Sequence, residues 1–363
     1  MNYRMTTIWP RRQYIADKTE IIEINLKDPI SQLCITYEPD NNPGGVHATA
    51  HPAKCITKIE LVDGSNVLCS MSGQEAQALD FYHNDKSPAN IICYLNGMYS
   101  EQIFNINFGR YLYDTMLALD PKKFNNLQLK ITMDIDGGGD ESNDGYLTVI
   151  AHVFDQKAIT PIGFLGAKEV KSYVLTAGGH EYTDLPTDAT YKQILFKAQR
   201  YGTGPEYQIN TIKVEEDNSK RVILDNSMFQ IIRNIASQWK MHKEWILCWG
   251  STTKNYYYNT ACYFPTFTDT PWRNSYAACL AAVYGGDGGR FEHDCEASGP
   301  NHQVHAMGYA PHAAVPLLPK FSNDVADWYN VDKIGNLRID ALAVAAPGAS
   351  QTAEILIQQL RKY

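Results

Sequence analysis

The chain has 363 residues, enough for two domains that each enclose a hydrophobic core of ordinary size. Apolar residues make up 44% and charged residues 20%, the composition of an ordinary soluble globular protein. The formal charge of -8 argues against a protein that coats nucleic acid, because such a surface needs clustered Lys and Arg to replace the counterions. No apolar run approaches the roughly 20 residues of a membrane-spanning helix, and no signal peptide is recognised, so we expect synthesis in the cytoplasm.

Residues 1–19 are predicted to form an N-terminal arm. Arg4, Arg11 and Arg12 alternate with aromatic and apolar side chains, and no acidic residue precedes Asp17. The segment is locally cationic in an acidic chain, which favours anionic lipid headgroups or acidic protein surfaces. We therefore expect the arm to dock on another subunit or on an acidic inner surface; a disordered terminus is the alternative.

One arrangement of strands and turns occurs twice in the chain. Residues 57–68 alternate apolar and polar side chains around an Asp-Gly turn, and residues 211–219 begin the same scheme. Each stretch runs into a serine followed three residues later by Glu or Gln, a spacing that caps a helix. The pairs are Ser72 with Glu75 and Ser227 with Gln230. The second helix has one apolar face, formed by Met228, Ile231, Ile232, Ile235 and Trp239.

Two further blocks recur in the same order, which makes chance similarity an inadequate explanation. The upstream blocks are residues 32–35 and 193–196, and the downstream blocks are residues 126–131 and 336–341. Each downstream block is followed by a loop and a final strand. The chain is therefore predicted to be one β-rich domain present twice, over residues 20–160 and 161–363.

An acidic loop at residues 134–145 raises the question of calcium binding. Asp134, Asp136 and Asp140 supply alternating oxygen ligands of the kind that a hard cation needs. However, Gly145 stands where an EF-hand places its bidentate Glu. We interpret the loop as a polar connection between two strands and leave calcium binding as the alternative.

The second copy carries an insertion. It is longer by about 57 residues, because 125 residues separate Ile212 from Leu337 while 68 separate Ile59 from Leu127. Most of the excess is predicted at residues 245–320, a region rich in Tyr, Trp, Cys, His and Gly.

The insertion contains residue types that bind zinc. They are His293, Cys295, His302, His305 and His312. His302 and His305 form an acceptable ligand pair, but the spacings match no zinc signature. A glycine-rich loop with histidines is more often a surface excursion packed by its own aromatic residues. We therefore predict that the protein binds no stoichiometric zinc.

The cysteines are predicted to be buried thiols in a reducing compartment. They are scattered without Cys-x-x-Cys pairs, and most lie within apolar, strand-like runs. The eight positions are Cys34, Cys55, Cys69, Cys93, Cys248, Cys262, Cys279 and Cys295.

The motifs of common enzyme classes are missing from the sequence. It contains no Gly-x-Ser-x-Gly nucleophile elbow and no glycine-rich phosphate loop of the Walker type. Carboxylates are plentiful, but nothing selects a pair at the separation that a glycosidase uses. We therefore predict no catalytic, cofactor-binding or metal-binding residues, and a protein that is not an enzyme.

The repeated arrangement resembles the double jelly-roll major capsid proteins of tailless icosahedral viruses, which include tectivirus-like phages, corticoviruses and adenovirus hexon. The similarity lies in the strand-turn-strand that leads into a capped helix and in the penultimate strand opening Asn-Leu, and it is strongest in residues 327–363. It implies an all-β fold of two tandem antiparallel jelly-roll sandwiches with short helices in the loops. The insertion has no counterpart in this resemblance.

The resemblance also implies a function without chemistry. Three chains would form a pseudo-hexameric homotrimer, and neighbouring trimers would tile an icosahedral shell in the virion. Further expected partners are penton or minor capsid proteins and, through the N-terminal arm, an internal membrane; no sequence-specific nucleic acid is expected.

Two other classes of function are left open. The first is a two-domain β-sandwich that binds or processes glycans, with the aromatic insertion as a platform for sugar rings. The second is a cupin-like metal enzyme, which requires the histidines of the insertion to converge inside a barrel.

Overall fold

We describe the protein from a computed structural model, over residues 2–41, 48–139, 144–156, 158–250, 252, 254–272, 281–295 and 301–363. The first part of the chain forms β1 (Tyr3–Tyr14), β2 (Lys18–Glu23), β3 (Ile30–Pro39), β4 (Ile56–Asp63), β5 (Asn66–Met71), α1 (Gly73–Asn84), β6 (Ile91–Cys93), β7 (Gln102–Asn107), β8 (Leu127–Met133) and β9 (Gly145–Phe154).

The second part continues with β10 (Gly163–Val174), β11 (His180–Leu185), β12 (Tyr191–Lys197), β13 (Ile209–Glu216), β14 (Arg221–Ser227), α2 (Met228–Gln238), β15 (His242–Trp249), β16 (Asn255–Tyr258), β17 (Ala261–Trp272), β18 (Ala281–Gly285), β19 (Arg290–Cys295), β20 (Asn301–Pro311), β21 (Ala314–Pro316), β22 (Leu337–Ala343) and β23 (Thr352–Lys362). Short 3-10 helices cover Pro52–Cys55, Pro121–Lys123, Pro205–Tyr207, Asp287–Gly289 and Val325–Asp327.

The strands form two sandwiches with the same connectivity. In the first, antiparallel pairing gives the orders β1-β9-β3-β7 and β2-β8-β4-β5. In the second, the orders are β10-β23-β12-β21 and β11-β22-β13-β14. Position by position, the two sets of sheets match, and this strand order is that of a jelly roll. The prediction of two tandem jelly rolls is confirmed.

Alternating apolar residues account for the cores of both sandwiches. In β8 and β22 every second side chain is buried between the sheets, as period-2 strands require. The buried positions are Leu127, Leu129, Ile131 and Met133 in β8, and Leu337, Ile339, Ala341 and Ala343 in β22. The equivalent strands therefore bury the same face of the same pattern.

Both helices begin at the serines that the sequence indicates. The Oγ of Ser72 accepts a hydrogen bond from the backbone N–H of Glu75 (3.3 Å), and the Glu75 carboxylate accepts one from the N–H of Ser72 (2.8 Å). The Oγ of Ser227 accepts one from the N–H of Gln230 (3.3 Å). Each helix follows directly on the hairpin of its sandwich, so the two copies agree here as well.

Residues 2–19 do not form a separate arm, and the expectation of an N-terminal arm is wrong for these residues. Residues 3–14 are β1, which pairs with β9 from Tyr3 opposite Phe154 to Tyr14 opposite Gly145. The cationic character of the segment is local in sequence only, because acidic partners come from elsewhere in the fold. The ion pairs join Arg4 to Asp28 (2.9 Å) and Arg11 to Glu38 (2.6 Å), and Arg12 lies over the ring of Trp9 (4.0 Å).

The insertion forms two sheets between α2 and β21. Strands β17, β20 and β15 make one sheet and β16, β19 and β18 make the other. The inserted strands start at His242 and end at Pro311, whereas the sequence places the insertion at residues 245–320. The difference arises because residues 314–316 pair with β12 and so belong to the second jelly roll.

Candidate functional site

The two halves meet along a continuous junction with three zones. Strands β5 and β10 pair in parallel at Ser70 and Lys168, which links the sheets of the two sandwiches edge to edge. Helices α1 and α2 meet at their C-terminal ends. Beyond them, β6 from the first half pairs in parallel with β15, so a strand of the first half completes a sheet of the insertion.

Aromatic residues join the two helices. The rings of Tyr82 and Trp239 are in edge contact, with centroids 5.4 Å apart, and the indole N–H donates to the carbonyl of Tyr82 (3.1 Å). The Tyr82 hydroxyl donates to the carbonyl of Ala314 at 2.8 Å. All three residues are buried. This contact holds the two sandwiches in one relative orientation.

A buried ion pair lies beside the junction. The ammonium group of Lys197 contacts the carboxylate of Glu354 at 2.8 Å, and both side chains are largely shielded from solvent. Burial raises the pKa of the nearby Glu75 to about 7. Because the pair is largely shielded from solvent, removing either partner would leave an uncompensated buried charge.

A network of buried histidines connects the first half to the insertion. The N–H of Ala53 donates to Nδ1 of His51, so the Nε2–H of His51 donates to the Thr260 hydroxyl (3.1 Å). The backbone N–H and hydroxyl of Thr260 donate to Glu244, and burial raises the pKa of Glu244 to about 7. Burial lowers the pKa of His51 to about 3.

His312 lies in this network and not with the other histidines of the insertion. Its ring is 4.8 Å from that of His51, and its Nε2–H donates to the side-chain oxygen of Gln77 (2.8 Å). His242 is buried in the same region, and burial lowers its pKa to about 3. These histidines are neutral parts of the core between α1 and the inserted strands.

Three of the predicted zinc-type residues converge at the other end of the insertion. The ligand atoms of His293, Cys295 and His302 all lie within 4.8 Å of one another, and the three residues are buried. We call them the His-Cys-His cluster. The Sγ of Cys295 is 3.5 Å from Nδ1 of His293 and 3.4 Å from Nε2 of His302.

A carboxylate that the sequence analysis missed holds both rings of the cluster. The Nε2–H of His293 and the Nδ1–H of His302 donate to the carboxylate of Asp269, at 3.0 and 3.1 Å. Burial opposes ionisation of this group, but the two hydrogen bonds outweigh it and lower the pKa of Asp269 to about 2. The sequence signal that could have pointed to the cluster is the His-x-Cys spacing of His293 and Cys295, which places both side chains on one face of a strand.

His305 is not part of the cluster. It is an odd number of residues from His302 along β20, so the two side chains point to opposite faces of the sheet. The ring of His305 stacks on Trp245 with centroids 4.2 Å apart. The His302 and His305 pair is therefore wrong as a chelating pair.

The cysteines of the described residues form no disulfide. Six of these seven are buried and Cys34 is half-buried, while Cys279 lies outside the described residues. Burial raises the pKa of the Cys69 thiol to about 11, which disfavours the reactive thiolate.

The acidic loop is described only in part, since Asp140 lies outside the described residues. Where the chain is described, the side chain of Asp134 accepts a hydrogen bond from the N–H of Asp136 (3.1 Å), which is a local turn contact. Calcium binding at this loop stays the alternative to a polar connection between two strands.

The surface carries exposed apolar side chains at a place where the two halves meet. Tyr111, Leu112 and Met116 come from one loop, and the N–H of Ile162 donates to the carbonyl of Met116 (3.0 Å). The exposed fractions of these side chains lie between 39% for Met116 and 50% for Tyr111. Exposed apolar side chains mark a surface that another protein covers only where they form a contiguous patch. We call this group of side chains the apolar patch.

No helix among the described residues is long and apolar enough to span a membrane. The sequence matches no family model and no curated protein.

Solved structures resemble this fold along its full length. The crystal structure of the STIV major capsid protein matches with a TM-score of 0.60 at 10% identity, covering 100% of this chain and 98% of that chain. The major capsid protein of bacteriophage PM2 gives a TM-score of 0.52 at 10% identity, over 99% and 98%. The PBCV-1 virus capsid gives 0.54 at 10% identity, over 99% and 94%.

At identities this low, such matches establish the fold alone. The chain has the double jelly-roll architecture of these capsid proteins, and the likeness extends over both sandwiches and the connections between them. The resemblance noted in the sequence is confirmed at the level of fold.

Proposed function

We propose that this protein is the major capsid protein of an icosahedral virus, in which homotrimers form pseudo-hexameric blocks that tile the shell. The observation that carries the proposal is the duplicated strand order, joined in one chain and matched over its full length by viral capsid proteins. Its place is the capsid shell of the virion, after synthesis in the host cytoplasm.

The duplication provides a geometric reason for this assembly. A trimer of a chain with two similar sandwiches has six similar lobes, so it fits where a capsid lattice presents six neighbours. The fixed contact between Tyr82 and Trp239 and the β5–β10 pairing keep the two lobes of each chain in register. A shell component needs this rigidity more than it needs a catalytic site.

The trimer requires a surface that buries apolar area between chains. The apolar patch supplies part of one, from Tyr111, Leu112, Met116 and Ile162. A second copy of this chain is the partner that we assign to it. Neighbouring trimers, penton proteins and minor capsid proteins are the further partners of the shell.

We also propose contact with an internal membrane, although β1 is not a free cationic arm. Arg4 and Arg11 are engaged in ion pairs with Asp28 and Glu38.

We propose the division into a first jelly roll, ending near residue 160, and a second that carries the insertion.

A purely structural role agrees with how the chain uses its polar groups. The buried carboxylates and histidines at the junction, such as Glu244 and His51, bond to one another and to the backbone of adjacent strands. We propose that the protein is not an enzyme. The glycan-binding alternative is not supported, because the solved structures that match the chain over its full length are viral capsid proteins.

Light scattering of the purified protein tests the proposed assembly. We expect a particle of three times the chain mass. Leu112→Asp should reduce the trimer to monomers, since it places a charge in the apolar patch, whereas Leu112→Met keeps the patch apolar and should leave the trimer intact. A wild-type protein that is monomeric at all concentrations would contradict the proposal.

A further inference from the structure

The His-Cys-His cluster has the donor set and spacing of a transition-metal site. The Sγ of Cys295 lies 3.5 Å from Nδ1 of His293 and 3.4 Å from Nε2 of His302. In tetrahedral zinc, with bonds of about 2.3 Å to sulfur and about 2.05 Å to nitrogen, the sulfur and nitrogen ligands are roughly 3.5 Å apart. The observed separations therefore match two edges of such a tetrahedron.

The protonation of the two rings leaves one nitrogen of each without a proton and close to the sulfur. Asp269 accepts from Nε2 of His293 and from Nδ1 of His302, so each ring carries its proton on the side of the carboxylate. The opposite nitrogens, Nδ1 of His293 and Nε2 of His302, are then the acceptors nearest to Cys295, whose Sγ also lies 4.0 Å from Nε2 of His293. A thiol has one proton and can donate to only one of them, whereas a cation satisfies the two nitrogens and the thiolate together.

Asp269 occupies the position of an orienting carboxylate. Histidines that bind zinc almost always donate their other N–H to a carboxylate or carbonyl, which fixes the tautomer and the ring orientation. Here one carboxylate serves both rings. It reaches them because Asp269 pairs with Val304 in the β17–β20 ladder, two residues from His302 on the same face of that strand.

The cluster lies between the two sheets of the insertion. His293 and Cys295 belong to β19, while His302 belongs to β20 in the opposite sheet. The core that these sheets share is small compared with the jelly-roll core, and Phe291 and Val304 are among its members. A cross-link here adds stability where apolar burial is limited.

We propose that His293, Cys295 and His302 bind one zinc ion per chain, with Asp269 as the residue that positions both imidazoles. The ion holds the two sheets of the insertion together. This proposal does not rest on the capsid function, and it replaces the expectation that the insertion binds no zinc.

The donor atoms select the class of ion. Calcium and magnesium require oxygen ligands, which the His-Cys-His cluster does not provide. Imidazole and thiolate together suit zinc, and cobalt can occupy the same tetrahedral geometry.

Elemental analysis of untagged protein, after dialysis against metal-free buffer, is the first test. We expect about one zinc per chain in the wild type. Cys295→Ser and His302→Asn should each retain less than about a tenth of that amount, because each removes a ligand. His305→Ala is the matched control, since His305 lies on the same strand but faces the other way, and it should keep the full amount. Zinc retained in Cys295→Ser would overturn the proposal.

A cobalt titration of wild-type protein stripped of metal gives an answer even if the variants do not fold. Tetrahedral cobalt with a thiolate ligand absorbs in the near ultraviolet by sulfur-to-metal charge transfer and in the visible region by ligand-field transitions. We expect both bands to saturate at one cobalt per chain, and we expect Asp269→Asn to keep them with roughly 10–100-fold weaker affinity. A wild type that holds no zinc and shows neither band would overturn the proposal.

Discussion

The connections that follow α1 and α2 start from equivalent positions and end in different structures. After α1, residues 85–101 form little beyond the short β6 before the chain enters β7. After α2, residues 239–313 build two further sheets before the chain enters β21. The two connections nevertheless meet, since β6 pairs with β15.

The difference lies in how each region is stabilised. The sandwiches are held by alternating apolar side chains, and one core extends through both of them. The insertion has a small core and adds buried polar groups at both of its ends, the His51 and Glu244 network and the His-Cys-His cluster. Burying apolar area is tolerant of small shifts, whereas buried polar groups need their partners in place. The insertion should therefore respond to pH and metal, while the sandwiches should respond to changes in strands and packing.

Removal of β1 should have the largest effect. Deletion of residues 2–16 takes away the strand that pairs with β9, and it exposes the edge of the first sheet. We expect a loss on the order of 5 kcal/mol or more in the free energy of unfolding, enough to prevent folding of the first sandwich. Urea unfolding or loss of soluble protein measures this. Arg11→Ala, which removes one exposed ion pair with Glu38 and one contact with the ring of Tyr146, is the control and should cost no more than about 1–2 kcal/mol. A deletion variant as stable as the wild type would show that β1 is a dispensable arm.

Truncating one buried ring in each core should affect stability differently in the sandwiches and in the insertion. Phe104 is fully buried in the first sandwich and Phe291 in the insertion. Phe104→Ala should lower the free energy of unfolding of the whole protein by about 3–5 kcal/mol. Phe291→Ala creates a similar cavity, but we expect its effect to be confined to residues 242–311, seen as faster hydrogen exchange there without a comparable fall in global stability. Equal global effects of both variants would show that the insertion and the sandwiches unfold as one unit.

Acid should weaken the junction of the insertion through its buried histidines. Burial lowers the pKa of His242 from 6.5 to about 3, so the unfolded chain binds more protons between these pH values. Stability contributed by neutral His242 is therefore present above pH 6.5 and is lost as the pH falls. Between pH 6.5 and 5, wild type should lose roughly 1.5 kcal/mol more than His242→Leu, by urea unfolding at both pH values.

The buried carboxyl of Glu244 has the opposite effect on stability as the pH changes, and it is the control for the effect of His242. The pKa of Glu244 is raised from 4.5 to about 7, so the folded protein binds the extra proton in that window, and its contribution is lost as the pH rises. Glu244→Gln should therefore make the loss of stability on acidification steeper. Parallel pH profiles for wild type and both variants would contradict the assignment of these shifts.

The two helix caps should give the smallest effects. Ser227→Ala removes one exposed capping hydrogen bond and should cost about 0.5–1 kcal/mol. Ser72→Ala should cost more, about 1–2 kcal/mol, since Ser72 also donates to the buried carboxylate of Glu75. Chemical denaturation of both variants measures the difference, and a larger loss at Ser227 would contradict it.

The two tandem jelly rolls could be predicted because the sequence signals that identify their strands and helices are local. Period-2 strands such as β8 and β22 and the capping serines Ser72 and Ser227 identify their elements within about ten residues. The order in which these signals recur then fixes the duplication.

What the sequence did not reveal depends on distant partners. The basic residues of β1 suggested an arm because Asp28 and Glu38, which neutralise them, lie farther along the chain. The convergence of the His-Cys-His cluster on Asp269 could not be predicted for the same reason, since Asp269 and His302 come together with His293 only through strand pairing and the packing of two sheets. The His-x-Cys spacing of His293 and Cys295 is visible in the sequence, but it does not identify Asp269 or His302 as their partners.

Negative-stain electron microscopy of the purified protein tests the capsid assignment most directly. We expect class averages of a threefold particle with a hexagonal outline and six lobes, two from each chain, because the two jelly rolls of one chain are joined in fixed register. Particles that show only two lobes, at concentrations well above those used for the light scattering, would contradict the assignment.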